Sequence, residues 1–148
     1  MIAAVFDTTV LVSAFLSPNG GAGVLVSNTP PLAFGLYLSF EIIEETESRL
    51  LNRVRLRKRY NYTNGDVERY ITDLYTAARF VVELPIIQVV RDPNDDFILA
   101  TAIKAQADYL VTFDNDLLDI KKYNEIEIVT PGDFLRILRA QSKDEQSS

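Results

Sequence analysis

The sequence predicts a single α/β/α domain with a central, mostly parallel sheet of about five strands. Short apolar runs of strand length alternate along the chain with longer segments whose apolar residues recur at helical spacing. Residues that commonly cap helices stand at the start of several of the longer segments. Strands that alternate with helices in this way favour a parallel sheet flanked by helices.

The predicted strands are apolar runs bounded by polar or turn-forming residues. The first ends at Asp7, an acid that also opens the first helix, which continues through residues 10–15. An acid at the carboxyl end of a buried strand lies where open α/β sheets bind their ligands. The third run is interrupted by Pro85. The five predicted strands are residues 1–6, 34–38, 80–90, 109–112 and 126–129.

The helices are predicted from apolar periodicity and from their capping residues. Ser39 is a favourable N-cap for one helix, Thr63 with Asp66 forms a weak capping box for the next, and Asp92-Pro93 begins another. A last helix begins at Thr130-Pro131. We expect residues 1–140 to form the domain and residues 141–148 to be a polar, disordered tail. The other predicted helices are residues 22–27, 40–52, 64–78 and 92–106.

Composition limits the possible chemistry. The chain has 148 residues, with no cysteine and no histidine. Disulfides, thiol or Ser-His nucleophiles, and zinc sites built on thiolates or imidazoles are therefore excluded. Carboxylates, hydroxyls, lysines, tyrosines or a bound metal must carry any reaction. No apolar run approaches the ~18 residues of a membrane span, and the N-terminus lacks a basic segment, so we expect a cytoplasmic protein without membrane contact.

Charge is unevenly distributed. The net charge of −6 argues against nucleic-acid binding over the whole surface but permits a local basic patch. Residues 49–59 carry six cations and no acid, and Tyr60 and Tyr62 follow. This segment either binds phosphates, with a tyrosine free to stack on a base, or is a solvated helix end or a docking surface for an acidic partner. The cations are Arg49, Arg53, Arg55, Arg57, Lys58 and Arg59.

Each conspicuous acid also has a purely structural explanation. Asp7 could simply cap its helix, and Asp92 precedes Pro93, where capping is the favoured interpretation. Glu45 could pair with Arg49 four residues later on the same helix. Asp114 could form an Asx turn, with Asp116 beyond it as a surface acid. As a set these explanations are weaker, because they require acids to occur independently at three strand or helix ends.

Asp95 and Asp96 are neighbours with different expectations. Asp95 could complete a capping box with Asp92. It also shares a helix face with Ile98, Leu99 and Ala102, and a carboxylate on an apolar face needs a partner or a function. Asp96 is one position further round the helix and is expected to face solvent.

Three blocks of the sequence resemble the signature blocks of PIN domains. They are Phe-Asp-Thr-Thr-Val-Leu-Val-Ser-Ala (6–14), Asp-Pro-Asn-Asp-Asp-Phe-Ile-Leu-Ala-Thr-Ala (92–102) and Asp-Tyr-Leu-Val-Thr-Phe-Asp-Asn-Asp-Leu-Leu (108–118). The closing Val-Thr-Pro-Gly-Asp-Phe-Leu (129–135) is also typical. The resemblance covers nearly the whole chain and is greatest to bacterial PIN proteins described as toxins of type II toxin–antitoxin systems.

The resemblance implies a metal-dependent ribonuclease whose acids gather at the C-terminal edge of the sheet. Asp7, Glu45, Asp95 and Asp114 match the acids of the family, and Asp116 is an optional fifth metal ligand. Thr9 stands where the family usually has Asn or Ser. With Thr112 and the cations Arg53, Arg55, Arg57, Lys58 and Arg59, it is a candidate substrate-binding residue.

Oxygen ligands without histidine or cysteine suit Mg²⁺ or Mn²⁺. The resemblance further implies an RNA substrate, a small antitoxin partner and a dimer. The main alternative is a non-catalytic PIN-like module that binds RNA or a protein. An α/β phosphotransfer domain fits less well, because no acid stands two residues after Asp7 as in Asp-x-Asp phosphatases.

Overall fold

Parallel strands form the centre of the fold, as the sequence predicts. The computed structural model describes residues 1–28, 32–88 and 96–147. Its six-stranded sheet has the order β3-β2-β1-β4-β6-β5, in which only β5 pairs antiparallel. The predicted α/β fold with a mostly parallel sheet is confirmed. The strands are β1 (Ile2–Phe6), β2 (Phe34–Leu38), β3 (Arg79–Phe80), β4 (Tyr109–Val111), β5 (Lys122–Tyr123) and β6 (Ile126–Val129).

Helices flank this sheet, and several begin at the residues expected to cap them. Ser39 accepts the backbone N–H of Ile42, and Thr63 with Asp66 forms a complete capping box. Asn28 and Asn61 end two helices in the left-handed conformation, which asparagine tolerates. The helices are α1 (Thr8–Leu16), α2 (Gly21–Ser27), α3 (Phe40–Asn52), α4 (Val54–Tyr60), α5 (Asn64–Ala77), α6 (Asp96–Lys104), α7 (Asn115–Leu118) and α8 (Pro131–Ser147).

The third strand is much shorter than predicted. It contains Arg79 and Phe80 only, and residues 81–88 are not a strand. Its neighbour β2 ends at Leu38, because Ser39 already caps α3 and leaves little strand for the chain to pair with. Pro85 also lacks the N–H group that a sheet requires. The predicted continuation to residue 90 lies partly outside the described residues.

Two further differences concern the C-terminal part. Lys122–Tyr123 pairs antiparallel with β6 and adds a sixth strand that is too short to show periodicity. Helix α8 continues to Ser147, where the sequence predicts a disordered tail from residue 141. Gln, Lys and Glu in this stretch are good helix formers, so the helix can extend without an apolar face. The predicted helix start at 92–95 lies outside the described residues.

The core lies between the sheet and its helices. Phe6 of β1, Phe34 of β2 and Phe134 of α8 form an aromatic cluster with ring centroids 5.4–6.0 Å apart. This cluster anchors α8 to β1 and β2. Among the described residues no single helix is long and apolar enough to cross a membrane; α1 and α2 reach that composition only as a pair bent by 95°.

Candidate functional site

The order in which the chain adds strands to the sheet reverses between β1 and β4. From β1 the chain builds β2 and β3 on one side, whereas β4 and β6 lie on the other. Open α/β sheets bind ligands at such a switch point, in the crevice outside the carboxyl ends of the strands. Asp7 directly follows β1, and Asp114 follows β4 after Thr112 and Phe113. The fold therefore brings Asp7 and Asp114 to one crevice.

Asp7 is buried, with 2% of its surface exposed, and both carboxylate oxygens are hydrogen-bonded. The Thr9 hydroxyl donates to Oδ1 at 2.6 Å, and the backbone N–H of Val10 donates to the same oxygen at 3.1 Å. The Thr112 hydroxyl donates to Oδ2. Asp7 is thus the N-cap of α1, as the structural explanation predicts, and its carboxylate is fixed on both sides.

Burial disfavours the ionised form of this carboxylate. Removal from water raises the pKa of Asp7 from 3.8 to about 6. The hydrogen bonds from Thr112, Thr9 and Val10 favour the ionised form and oppose this rise, while the negative charge of Asp114 adds to it. A cation next to Asp7 would favour its ionised form, so the protein's own contacts leave this acid suited to bind one.

Asp114 is joined to Asp7 through Thr112. The backbone N–H of Asp114 donates to the Thr112 hydroxyl oxygen at 2.9 Å, and the same hydroxyl donates to Asp7. Asp114 Oδ1 in turn accepts the N–H of Asp116 at 2.9 Å and caps α7, which is the predicted Asx-type turn. Thr112 is fully buried, so its hydroxyl positions the two acids from inside the protein.

Thr9 links the same two segments from the other side. Its hydroxyl donates to Asp7 and accepts the backbone N–H of Phe113 at 3.0 Å. Thr9 also lines a cleft of about 290 Å³ together with Arg49, Arg53 and Tyr60, which we call the Thr9 cleft. A guanidinium-lined cleft therefore opens beside the buried carboxylate.

Glu45 forms an ion pair with Arg49. Its Oε1 lies 2.5 Å from the Arg49 guanidinium, as the structural explanation predicts, and each side chain is 28% exposed. Glu45 lines a hollow of about 410 Å³ with Phe97 and Arg49. Because Arg49 lines both this hollow and the Thr9 cleft, it forms a shared wall between Glu45 and the crevice at Thr9.

The donor set fits a hard divalent cation, since it consists of carboxylate and hydroxyl oxygens. Within residues 1–28, 32–88 and 96–147 no cluster of at least three acidic, histidine or cysteine side chains is close enough to hold a metal ion. Of the candidate acids in these ranges, Asp7 and Asp114 lie at the crevice. The candidate ligand Asp95 and the predicted cap Asp92 lie outside the described residues.

The basic segment is organised mainly by α4. Arg55, Lys58 and Arg59 are exposed on this short helix, and Arg53 precedes it at the Thr9 cleft. Arg57 differs, because its guanidinium donates to the Leu51 carbonyl at 3.1 Å and lies 5.5 Å from the centre of the Tyr62 ring. Arg57 is therefore occupied within the protein.

Of the two tyrosines considered for stacking on a base, Tyr60 and Tyr62, the second is occupied within the protein. Its hydroxyl donates to the Leu50 carbonyl at 2.5 Å, and its ring packs edge-on against Phe15 at 4.9 Å. Tyr60, in contrast, is 39% exposed. No local pattern predicts that Tyr60 and Arg49 share a cleft with Thr9, because their meeting depends on how α3 and α4 lie against α1.

Comparison with known proteins identifies the family. A sequence profile described as PIN domain matches residues 3–116, which include all four candidate acids. The chain belongs to the PIN domain family. PIN domains are generally nucleases, which agrees with acids placed at the carboxyl ends of parallel strands. No curated protein sequence matches the chain significantly.

Proposed function

We propose that this PIN domain is a ribonuclease that depends on Mg²⁺ or Mn²⁺. One observation carries the proposal: the buried Asp7 and the neighbouring Asp114 are joined by the Thr112 hydroxyl at the switch point of the sheet. The pKa of Asp7 is raised by burial and by the charge of Asp114, so the crevice favours a cation. Asp7 and Asp114, with Glu45, Asp95 and Asp116, are the proposed ligands and catalytic acids.

The chain's own residues hold the crevice in shape. Thr9 and Thr112 fix opposite oxygens of Asp7, and Thr112 also fixes the backbone that carries Asp114. When bound, a divalent cation lowers the pKa of water and stabilises charge on the scissile phosphate. No histidine is needed for this chemistry, which agrees with a chain that contains none.

Arg49 and Arg53 are proposed to hold the phosphate backbone beside the acids. Both line the Thr9 cleft, and Arg55, Lys58 and Arg59 extend the positive surface along α4. Contacts between these cations and phosphates carry no sequence information, so they predict no cleavage motif. Arg49 would exchange Glu45 for a phosphate, which would release the Glu45 carboxylate towards the crevice.

The alternative is a non-catalytic PIN module that binds RNA or a protein. The Glu45–Arg49 ion pair favours it, because this pair neutralises one of the acids that catalysis requires. In that case Asp7 serves only as the cap of α1.

A nuclease assay separates the two. The wild-type protein is incubated with a panel of single-stranded and structured RNAs in Mn²⁺, in Mg²⁺ and in EDTA. We expect cleavage in either metal, none in EDTA, and none by Asp7→Asn or Asp114→Asn. Binding of RNA without cleavage in any metal, by wild type and variants alike, would establish the non-catalytic module instead.

We extend the proposal to the toxin of a toxin–antitoxin pair, inhibited by a small antitoxin and acting as a dimer. The resemblance of the three signature blocks to bacterial PIN toxins supports this extension. Expression of the chain in bacteria should arrest growth, and Asp7→Asn should abolish the arrest. Sedimentation of the purified protein measures whether it dimerises.

A further inference from the structure

A large cavity lies outside the acidic crevice. It has a volume of about 690 Å³ and lies between α1, α2 and α5, with the end of α4 at its edge. Its size is that of sites that bind small organic groups. We call it the aromatic cavity, after the four rings among its lining residues: Phe15, Tyr60, Tyr62 and Tyr70.

Three of these rings form a fixed wall. Phe15 packs against Tyr62 at 4.9 Å and against Tyr70 at 5.1 Å between ring centroids. The hydroxyls of Tyr62 and Tyr70 donate to the carbonyls of Leu50 and Leu11, each at 2.5 Å. These bonds tie the wall to α3 and α1, so the cavity is formed before any ligand arrives.

Tyr60 stands at the boundary of this wall. It is 39% exposed at the end of α4, and the Arg59 guanidinium lies 5.5 Å from its ring centre. Tyr60 and Leu16 line both the aromatic cavity and the Thr9 cleft. The two spaces are therefore neighbours that share two side chains.

Helix α1 sets the distance between the Thr9 end of the cleft and the aromatic cavity. Thr9 and Leu16 lie seven residues apart on α1, which corresponds to about 10 Å along the helix axis. An RNA strand with a phosphate at Thr9 can therefore place a nearby base beside Tyr60. This base is not the one at the cleaved bond. Arg53 lines the cleft on the way, where it can contact the connecting phosphates.

We propose that the aromatic cavity receives an unpaired base of the RNA substrate, with Tyr60 stacking on that base. This inference rests on the proposed ribonuclease function and adds to it a single-stranded substrate and a binding position. Aromatic rings with adjacent cations are the usual combination for single-stranded nucleic acid. Asp73 and the ion pair of Arg69 with Asp66 also line the cavity and are the polar groups within reach of the edge of the base.

RNA is favoured over an apolar protein segment for two reasons. The cavity continues into a cleft lined by Arg49 and Arg53, and the flanking helix α4 carries further exposed cations. An apolar segment would gain nothing from either feature, whereas a nucleotide presents a flat ring and a phosphate together.

The test uses the absence of tryptophan from the chain. Tyr60→Trp places a single fluorescent reporter at the cavity, and Tyr75→Trp is the matched control, since Tyr75 is similarly exposed (45%) but does not line the cavity. A short single-stranded RNA is titrated in EDTA, so that no cleavage occurs. We expect saturable quenching of Tyr60→Trp and no quenching of Tyr75→Trp.

Affinity is measured in the same buffer with Tyr60→Ala and Tyr60→Phe. Loss of one stacked base should weaken RNA binding about 5-fold to 150-fold in Tyr60→Ala, and Tyr60→Phe should retain wild-type affinity. A series of RNAs carries an abasic site at each position in turn. At one of these positions we expect Tyr60→Ala to cause no further loss of RNA affinity. Melting temperatures confirm that each variant is folded.

Three outcomes would overturn the inference. Wild-type affinity of Tyr60→Ala, with wild-type RNA cleavage in Mn²⁺, removes the base site and leaves the ribonuclease proposal intact. Normal RNA affinity with lost binding of a purified protein partner assigns the cavity to that partner. If the wild-type protein neither binds nor cleaves any RNA, the ribonuclease proposal fails and this inference fails with it.

Discussion

Replacing Asp7 with Asn removes a buried charge while keeping the cap of α1. Asn caps helices as well as Asp does, and its side-chain oxygen can still accept from Thr9 and Val10. Burial raises the pKa of Asp7 from 3.8 to about 6. Since one pKa unit corresponds to ~1.4 kcal/mol, the ionised carboxylate costs the folded protein about 3 kcal/mol when no cation is bound. We therefore expect Asp7→Asn to be more stable than wild type in EDTA, by this amount less the cost of the lost Thr112 hydrogen bond, because the amide nitrogen that replaces Oδ2 cannot accept from the Thr112 hydroxyl.

The sign of the pH dependence follows from linkage. The folded protein holds the Asp7 proton more tightly than the unfolded chain does, so this stabilising contribution is fully present below about pH 4 and is lost as the pH rises through about 6. Urea unfolding in EDTA should therefore show the wild type losing stability relative to Asp7→Asn between about pH 4 and about pH 7. A difference that stays constant across this range would refute the reasoning.

Three further variants test other parts of the structure. Thr112→Val removes the hydroxyl that joins Asp7 and Asp114 and should cost about 2 kcal/mol of stability in urea unfolding, whereas Thr112→Ser should cost less. Gly23→Ala should destabilise the fold by about 1–3 kcal/mol, because its Cβ would lie 2.2 Å from the Pro18 carbonyl oxygen. Gly21→Ala is the control and should keep the wild-type melting temperature, because the nearest atom to its Cβ is 3.5 Å away. Gln at the three exposed arginines of the basic segment, Arg53, Arg55 and Arg59, should weaken RNA binding. It should also reduce the salt slope by ~0.7 for each phosphate that is no longer neutralised, and wild-type affinity would contradict this expectation.

Local signals explain how much of the fold could be predicted. The caps at Ser39 and Thr63 are set by neighbouring residues, and the apolar run before Asp7 forms the central strand β1. The reach of β3 could not be predicted, because it depends on where its partner β2 ends. Lys122–Tyr123 carries no strand pattern and pairs only because β6 folds back beside it.

In the candidate site, too, some features follow from the local sequence and others depend on how distant segments pair. Asp7 and Asp114 follow strands, so their placement at one edge of the sheet can be inferred from the sequence. Which side chain hydrogen-bonds to which cannot be inferred, because the bridging role of Thr112 depends on the pairing of β1 with β4. Likewise, Tyr62 and Tyr60 are alike in sequence, yet packing against Phe15 occupies the first and leaves the second exposed.

Mn²⁺ binding tests the central claim, that the acids at the switch point hold a divalent cation. Calorimetric titration compares wild type, Asp7→Asn and Asp114→Asn with the control Asp108→Asn. Asp108 accepts the N–H of Ala3 at 2.8 Å but precedes β4, at the opposite edge of the sheet. We predict that wild type and Asp108→Asn bind Mn²⁺ alike and that both site variants lose binding. Equal Mn²⁺ binding by all four proteins would contradict the account.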